Sequence, residues 1–254
     1  MSWAIDSTRA GPEGYTYSGV AVRLDGTPSG APVERSEALA ALRGIRFSGW
    51  VADPDDGWVL AVAAHARGAI AAGRQGVLEV GADLARRLPA TVVAVRVVDD
   101  RQLVFAVWVD GGEVGRYVSD PSYGLAQDDV LTDPLGAEHA EAFAAAVGRP
   151  EAADELGELL AEEFDAESVI ESERLLGVLR LLGLPGWLVS AASLPRDVPG
   201  GPRARDLTRL GAGRPGFVGR VAERATQIVR NRRRLPPAVV DPPRGARDID
   251  PWLF

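Results

Sequence analysis

The stretch TVVAVRVVDDRQLVFAVWVDGGEVGRYV, residues 91–118, decides the fold of this chain. Its first two apolar runs are hydrophobic on both faces, which is typical of central strands that are covered from both sides. Short acidic runs, Asp99-Asp100-Arg101 and Asp110-Gly111-Gly112-Glu113, supply turn residues after each of them. We therefore predict a three-stranded meander, with strands over Thr91 to Val98, Leu103 to Val109 and Val114 to Val118.

The residues before the meander add helices and further strands. Apolar residues recur at helical spacing over about 76–88, which predicts a helix that covers the meander. Residues 45–63 are typical of a β-hairpin around Asp53-Pro54-Asp55-Asp56-Gly57, because proline fixes φ, aspartate caps backbone amides and glycine accepts a positive φ. A short helix over 36–42 and a strand over 16–24 complete this part.

Downstream of Asp128 the hydrophobic period becomes helical and the surface becomes acidic. Residues 128–173 hold 15 acidic residues and one arginine, Arg149. Each apolar stripe can be buried while the acidic side of the same helix stays in water. The predicted helices are 138–147, 151–164 and 165–182, and a short helical turn follows over 187–194.

The last fifth of the chain, residues 196–254, has the opposite charge, and we call it the arm. Residues 196–247 carry 13 arginines and four acidic residues, a net charge of +9, whereas the rest of the chain has a net charge of −17. Glycine and proline recur there, so a partly disordered segment with one amphipathic helix, 217–234, is predicted. The helix ends in Arg230, Arg232, Arg233 and Arg234, and the sequence ends in Trp252-Leu253-Phe254.

Together these patterns predict an α+β protein in three parts. Residues 1–124 form a domain with an antiparallel or mixed sheet and a covering helix. Residues 128–195 form an acidic helical layer packed on that sheet, and residues 196–254 form the arm.

Composition excludes several classes of protein. The chain has no cysteine, which removes disulfides, thiolate catalysis and most structural zinc sites. All 28 basic residues are arginine, so neither a G-x-x-x-x-G-K-[ST] phosphate loop nor a lysine Schiff base can form. No apolar run approaches the roughly 18 residues of a membrane span, and the first residues do not resemble a secretory signal. We therefore expect a cytoplasmic protein without a transmembrane segment.

One part of the sequence resembles a known group of proteins. Tyr117-Val118-Ser119-Asp120-Pro121-Ser122-Tyr123, followed by acidic helices that end in Leu181-Leu182-Gly183-Leu184-Pro185, is similar to a group of uncharacterised bacterial α+β domains. The resemblance covers about residues 90–190. It implies an α+β fold, and it carries no activity that can be transferred to this chain.

Few residue patterns indicate a chemical site. His65 and His139 belong to no ligand motif, and we expect both at the surface. Residues 211–216 match G-x-G-x-x-G, but a dinucleotide site needs a strand before the glycines, and Asp206 to Leu210 is a poor strand. Asp53, Asp55 and Asp56 fit a hairpin turn better than an incomplete calcium loop. We therefore predict no catalytic, cofactor-binding or metal-binding residue.

One candidate cleft is left, at the junction of the sheet with the helices. Asp120, Ser122 and Tyr123 place a carboxylate and two hydroxyl groups there. If the chain were an enzyme or a small-ligand domain, we would expect its site at this junction.

The arm has several interpretations. Nucleic-acid binding combines arginines on phosphates with aromatic side chains on bases, but Phe217 is the one aromatic residue in 196–247, and the net charge of −17 on the rest of the chain repels phosphates, so we do not expect nucleic acid as a partner. An anionic membrane surface suits the amphipathic helix 217–234. A protein partner suits the same helix and the hydrophobic C-terminus, and the charge of the arm also suits the acidic helices of its own chain or of a second copy.

We predict a non-enzymatic interaction or accessory protein that binds a protein partner or self-associates. The residues predicted to make this contact are Arg230, Arg232, Arg233, Arg234, Trp252, Leu253 and Phe254.

Overall fold

The computed structural model describes residues 14–25, 32–65, 69–123, 133–162, 170–194 and 196–211. The strands are β1 (Tyr17–Arg23), β2 (Gly49–Val51), β3 (Trp58–Ala63), β4 (Val92–Val98), β5 (Gln102–Val109), β6 (Gly112–Val118) and β7 (Thr208–Leu210). The α-helices are α1 (Arg35–Gly44), α2 (Val77–Arg87), α3 (Ala140–Ala146), α4 (Ala153–Ala161) and α5 (Glu171–Leu181). The predicted α+β class is confirmed.

The seven strands form one antiparallel sheet in the order β6-β5-β4-β1-β3-β2-β7. The predicted meander is confirmed, since β4 pairs with β5 from Val92↔Trp108 to Val98↔Gln102 and β5 pairs with β6. The hairpin of β2 and β3 is confirmed as well. Because β4 lies between β5 and β1, it has no free edge, which agrees with its apolar character on both faces.

Helices cover both faces of the sheet and enclose two separate cores. On one face α1 and α2 bury the side chains of Leu42 and Leu84 against β-strand residues such as Trp108. On the other face, α3, α4, α5 and a 3-10 helix over Gly186–Ser193 enclose Phe105 and Phe143. Fully burying one such side chain stabilises the fold by roughly 1.5–3 kcal/mol, so both helical layers are held mainly by apolar contact.

The tight hairpin turns place aspartates in the left-handed region. Asp56-Gly57 and Asp110-Gly111 follow the preference of these turns for a glycine at the second central position. The turn between β4 and β5 uses Asp99 and Asp100 instead, with φ values of 53° and 51°. Two adjacent non-glycine residues with positive φ store strain of about 1–3 kcal/mol each, which the surroundings must offset.

The first part of the arm belongs to the sheet. The prediction that 206–210 is a poor strand is wrong, because Thr208–Leu210 pairs with β2 as the strand β7. Leu207 and Leu210 enter the two cores, one on each face, and this burial overrides the weak local propensity. A strand therefore does precede the G-x-G-x-x-G match, but it pairs antiparallel at an edge and not in a βαβ unit. Residues 212–216 and the predicted helix 217–234 lie outside the described residues.

Candidate functional site

The predicted cleft residues follow the last strand of the meander. The Asp120 carboxylate accepts hydrogen bonds from the backbone amide of Ser122 (2.9 Å) and from its hydroxyl (2.7 Å). The Tyr123 hydroxyl donates to the Asp99 carboxylate at 2.7 Å. The structure therefore brings Tyr123 to the β4–β5 turn, whereas the Asp120 and Ser122 side chains bind each other.

The β4–β5 turn connects three parts of the chain. Thr16 Oγ1 donates to the Asp99 carboxylate and accepts from its backbone amide, both at 2.8 Å. The Asp100 carboxylate accepts from the Tyr15 amide at 2.8 Å, and the Asp100 carbonyl accepts from the Glu171 amide at 3.0 Å. These bonds to the start of β1 and to α5 are the interactions that offset the strain of two positive φ values.

A chain of buried hydroxyl groups leads from β1 to this turn. The Tyr17 hydroxyl donates to Ser172 Oγ at 2.9 Å, and the Ser172 hydroxyl donates to the Asp100 carboxylate. All three residues are buried. Burial raises the pKa of Tyr17, because a phenolate there would lose water and face the carboxylates of Asp100 and Glu171. Tyr17 is therefore a neutral donor at any physiological pH.

The first turn of α5 holds an ion pair that water barely reaches. Arg174 Nε lies 3.3 Å from Glu171 Oε2, and the two residues are only 4% and 3% exposed. Burial raises the pKa of Glu171, Arg174 and the Ser119 hydroxyl lower it, and the nearby Asp100 and Asp120 raise it again, with a net increase. The Asp100 carboxylate near Glu171 is buried as well, so Glu171 has one guanidinium and a second buried carboxylate among its neighbours.

Arg174 also joins α5 to the end of α4 and to β6. Its guanidinium donates to the Glu162 carbonyl at 3.0 Å, to the Leu160 carbonyl at 3.4 Å and to the Tyr117 hydroxyl. The last carbonyls of a helix have no intrahelical donor and carry partial negative charge, so a cation there satisfies them. The Tyr117 hydroxyl donates to Leu160 at 3.0 Å, and burial raises the pKa of Tyr117 to about 12.

These groups form what we call the buried polar cluster, whose members are Tyr17, Asp100, Tyr117, Glu171, Ser172 and Arg174. Its side chains bind each other and backbone groups at the start of β1 and at the end of α4, which indicates a structural junction at the end of the sheet. Within the described ranges no group of three or more acidic or histidine side chains could hold a metal ion.

Sequence reasoning missed Glu171 and Arg174. The available signal was Arg174 itself, the one arginine between residues 150 and 179, three positions after a glutamate in a strongly acidic region. Helical spacing brings residues i and i+3 to one face, but it cannot show whether that face is buried. Only the packing of α5 against the sheet decides this.

The surface of α3 and α4 is acidic. Between Ala137 and Glu162 the sequence has seven acidic residues and one arginine, and all seven acidic residues are exposed. Arg149 Nε donates to Glu151 Oε1 at 2.6 Å, and this ion pair lowers the pKa of Glu151. We call this surface the acidic face. Its residues are Glu138, Glu141, Glu151, Asp154, Glu155, Glu158 and Glu162.

The arm begins at the other end of the strand order. The Arg209 guanidinium lies over the Trp50 ring, 5.6 Å from its centroid, and Arg35 Nη2 donates to Thr208 Oγ1 at 3.2 Å. Arg35 also pairs with Asp53 at 2.7 Å. Since α3 contacts β5 and β6, six strand spacings separate β7 from the strand under the acidic face, roughly 30 Å.

The other predicted positions have simple surroundings. His65 is exposed, whereas His139 is half-buried and its ring lies edge-on to Phe143, with centroids 5.9 Å apart. The following predicted interaction residues lie outside the described residues: Arg230, Arg232, Arg233, Arg234, Trp252, Leu253 and Phe254.

Among the helices that the structure describes, none is long and apolar enough to cross a membrane. No protein-family profile, curated protein or solved structure matches this chain.

Proposed function

We propose that this chain is a non-enzymatic cytoplasmic interaction protein. Its arm and its hydrophobic C-terminus bind a protein partner or a second copy of the chain. The observation that carries this proposal is the position of the arm. Strand β7 anchors its first residues at one sheet edge, and the acidic face covers the strands at the other edge.

Charge supports this proposal. Residues 212–254 carry nine arginines and four acidic residues, whereas the acidic face and Arg149 together carry a net charge of −6. Exposed charges of opposite sign attract over a Debye length of about 8 Å at physiological salt, and this attraction accelerates encounter more than it strengthens binding. The affinity would come from apolar groups such as Trp252 and Phe254, because large aromatic side chains dominate binding at interfaces.

Chain length allows the arm to reach its own body or another one. Gly211 and Arg230 are 19 positions apart. If residues 217–230 are helical as predicted, they are roughly 20 Å long, and the six positions before them span up to about 20 Å when extended, which together covers the roughly 30 Å between the two sheet edges. Contact within one chain and contact between two chains are therefore both reachable, and only the second depends on protein concentration.

The buried polar cluster supports a body that is a scaffold and not a catalyst. Its carboxylates accept hydrogen bonds from backbone amides and buried hydroxyl groups, and its arginine binds the end of a helix. General acid–base chemistry needs groups that can reach a substrate, and the members of the cluster are all buried.

The test compares two full-length variants that lose the same four positive charges. One has Arg230, Arg232, Arg233 and Arg234 changed to serine. The control has the exposed body residues Arg43, Arg74, Arg87 and Arg101 changed to serine. Self-association is measured by sedimentation velocity over a concentration series, and partner capture is measured by pull-down at two salt concentrations.

The proposal expects the arm variant to lose association and capture, and the control to keep both. Equal behaviour of the two variants contradicts it. The same proteins are mixed with anionic vesicles and with single-stranded oligonucleotides. One outcome would replace this proposal with a membrane or nucleic-acid function: the control binds the vesicles or the oligonucleotides in a salt-sensitive way, the arm variant does not, and no protein–protein contact is detected.

A further inference from the structure

The start of α5 brings together more buried negative charge than positive charge. Glu171 and Asp100 are buried carboxylates, and Arg174, which pairs with Glu171, is the buried guanidinium among the described residues. The Glu171 amide also donates to the Asp100 carbonyl, so the charged groups lie at the contact by which α5 joins the β4–β5 turn. Among the described residues, this contact therefore places two carboxylates and one guanidinium away from water.

We propose that the first turn of α5 is a proton-operated latch, in which protonation of Glu171 tightens the contact of α5 with the β4–β5 turn. A single proton on Glu171 removes one of the two buried negative charges, and with it the repulsion between the Glu171 and Asp100 carboxylates. The latch is a property of the fold, and its test is independent of the proposed binding function.

The surroundings of Glu171 decide which group takes the proton. On α5 itself Arg174 faces it, while Glu173 is exposed. The β4–β5 turn contributes Asp100, and the residues after β6 contribute Asp120 and the Ser119 hydroxyl. Among the described residues, the tyrosines of β1 and β6, Tyr17 and Tyr117, are also titratable groups near Glu171.

The geometry singles out Glu171, because its Oε2 atom is buried and accepts no hydrogen bond from the described residues. Both oxygens of the Asp100 carboxylate accept a hydrogen bond, one from the Tyr15 amide and one from the Ser172 hydroxyl. Asp120 is half-exposed. Both tyrosines are neutral, since burial raises the pKa of each. Burial likewise raises the pKa of Glu171 above the ordinary value of 4.5.

The direction of the pH effect follows from proton linkage. When α5 detaches, Glu171 returns to water and to its ordinary pKa, so the closed latch binds more protons than the open one between the two pKa values. The contact is therefore strongest below the ordinary pKa, and it weakens as pH rises toward the raised pKa. Above the raised pKa the effect levels off. One proton changes the opening equilibrium by at most tenfold per pH unit.

Hydrogen exchange of the full chain measures this opening directly. We expect the protection factors of the α5 amides, corrected for intrinsic exchange, to fall by up to tenfold per pH unit above pH 4.5, and then to level off. Glu171→Gln, which cannot ionise, should give protection factors that do not change with pH. Glu173→Gln removes an exposed carboxylate of the same helix and should keep the wild-type profile.

Two outcomes overturn the latch: a flat profile in the wild-type protein, or a wild-type slope in Glu171→Gln. If Glu171→Gln does not fold, two other measurements decide. Carbon-13 NMR of the full chain must place the titration of the Glu171 carboxyl above the ordinary glutamate range. In Asp120→Asn, which removes one neighbouring charge, the fall in protection must end at a lower pH, and an unchanged end point refutes the proposal.

Discussion

Arg174→Met should be one of the most destabilising single substitutions in this chain. Methionine keeps much of the length and apolar contact of the arginine stem but removes the guanidinium. The change leaves the Glu162 carbonyl without its side-chain donor, and it leaves Glu171 as a buried carboxylate without a counter-charge. The Leu160 carbonyl keeps its bond from Tyr117.

The magnitude follows from the burial of this pair. Removing one partner of a buried ion pair costs about 3–5 kcal/mol. A domain has a total free energy of unfolding of about 5–15 kcal/mol, so the loss is a large fraction of it. At lower pH Glu171 takes a proton and the orphaned charge disappears. The cost should then fall to the loss of hydrogen bonds, about 1–3 kcal/mol.

Urea unfolding at pH 5 and pH 8, followed by tryptophan fluorescence, measures both values. Trp58 and Trp108 are buried in the two cores, so their emission reports the loss of each. The control is Arg180→Met, on the exposed side of the same helix, which should cost no more than about 1 kcal/mol. If Arg174→Met is too unstable to purify, Arg174→Lys should lose about 1–3 kcal/mol, because an ammonium cannot replace the planar fork.

The reasoning is refuted if Arg174→Met costs less than about 1 kcal/mol at pH 8, or if its cost is the same at both pH values. A double-mutant cycle with Glu171→Gln separates the pair from its surroundings. The coupling free energy should exceed about 0.5 kcal/mol at pH 8 and shrink at pH 5.

Three further predictions concern the turns and the start of the arm. Asp100→Gly should lower the free energy of unfolding by about 1–3 kcal/mol in urea titrations, because it removes a buried hydrogen-bond acceptor even though it relieves a positive φ. The control Asp56→Gly, at an exposed turn, should change the free energy of unfolding by less than about 0.5 kcal/mol. Gly136→Ala should lower the melting temperature far more than Gly73→Ala, although both glycines have positive φ. The reason is steric, because a Cβ at Gly136 would lie 1.9 Å from the Arg116 carbonyl oxygen, whereas a Cβ at Gly73 would meet nothing within 4 Å. A chain that ends after Gly211 should melt several degrees above a chain that ends after residue 194, because the shorter chain lacks β7 and the buried Leu207 and Leu210. Equal melting of these two chains would contradict the assignment of β7 to the sheet.

Much of the secondary structure follows from local patterns. The two-sided apolar runs of β4 and β5 and the helical period of α2 each depend on a few neighbouring residues, and sequence reasoning found all three. The strand β7 depends on something else. Its three residues have little propensity, and they form a strand because β2 offers an open edge and both cores accept a leucine.

The candidate site shows the same division. Asp120, Ser122 and Tyr123 were predicted to lie where the sheet meets the helices, and the structure places them after β6, next to the β4–β5 turn. The charged residues that matter most at this junction, Glu171 and Arg174, gave no local sign of burial. Charged side chains are rarely buried, so composition alone assigns them to the surface.

The sequence by itself determined the α+β class, the absence of thiol and lysine chemistry, and the separation of acidic and basic segments, since these depend on residue type and short-range spacing. Only the tertiary structure decided that one arginine of α5 is buried against the end of α4, and that the arm begins as a strand at the edge opposite the acidic face. Burial and strand pairing are set by which distant segments meet, and the free energy of those contacts exceeds the local preferences that a sequence displays.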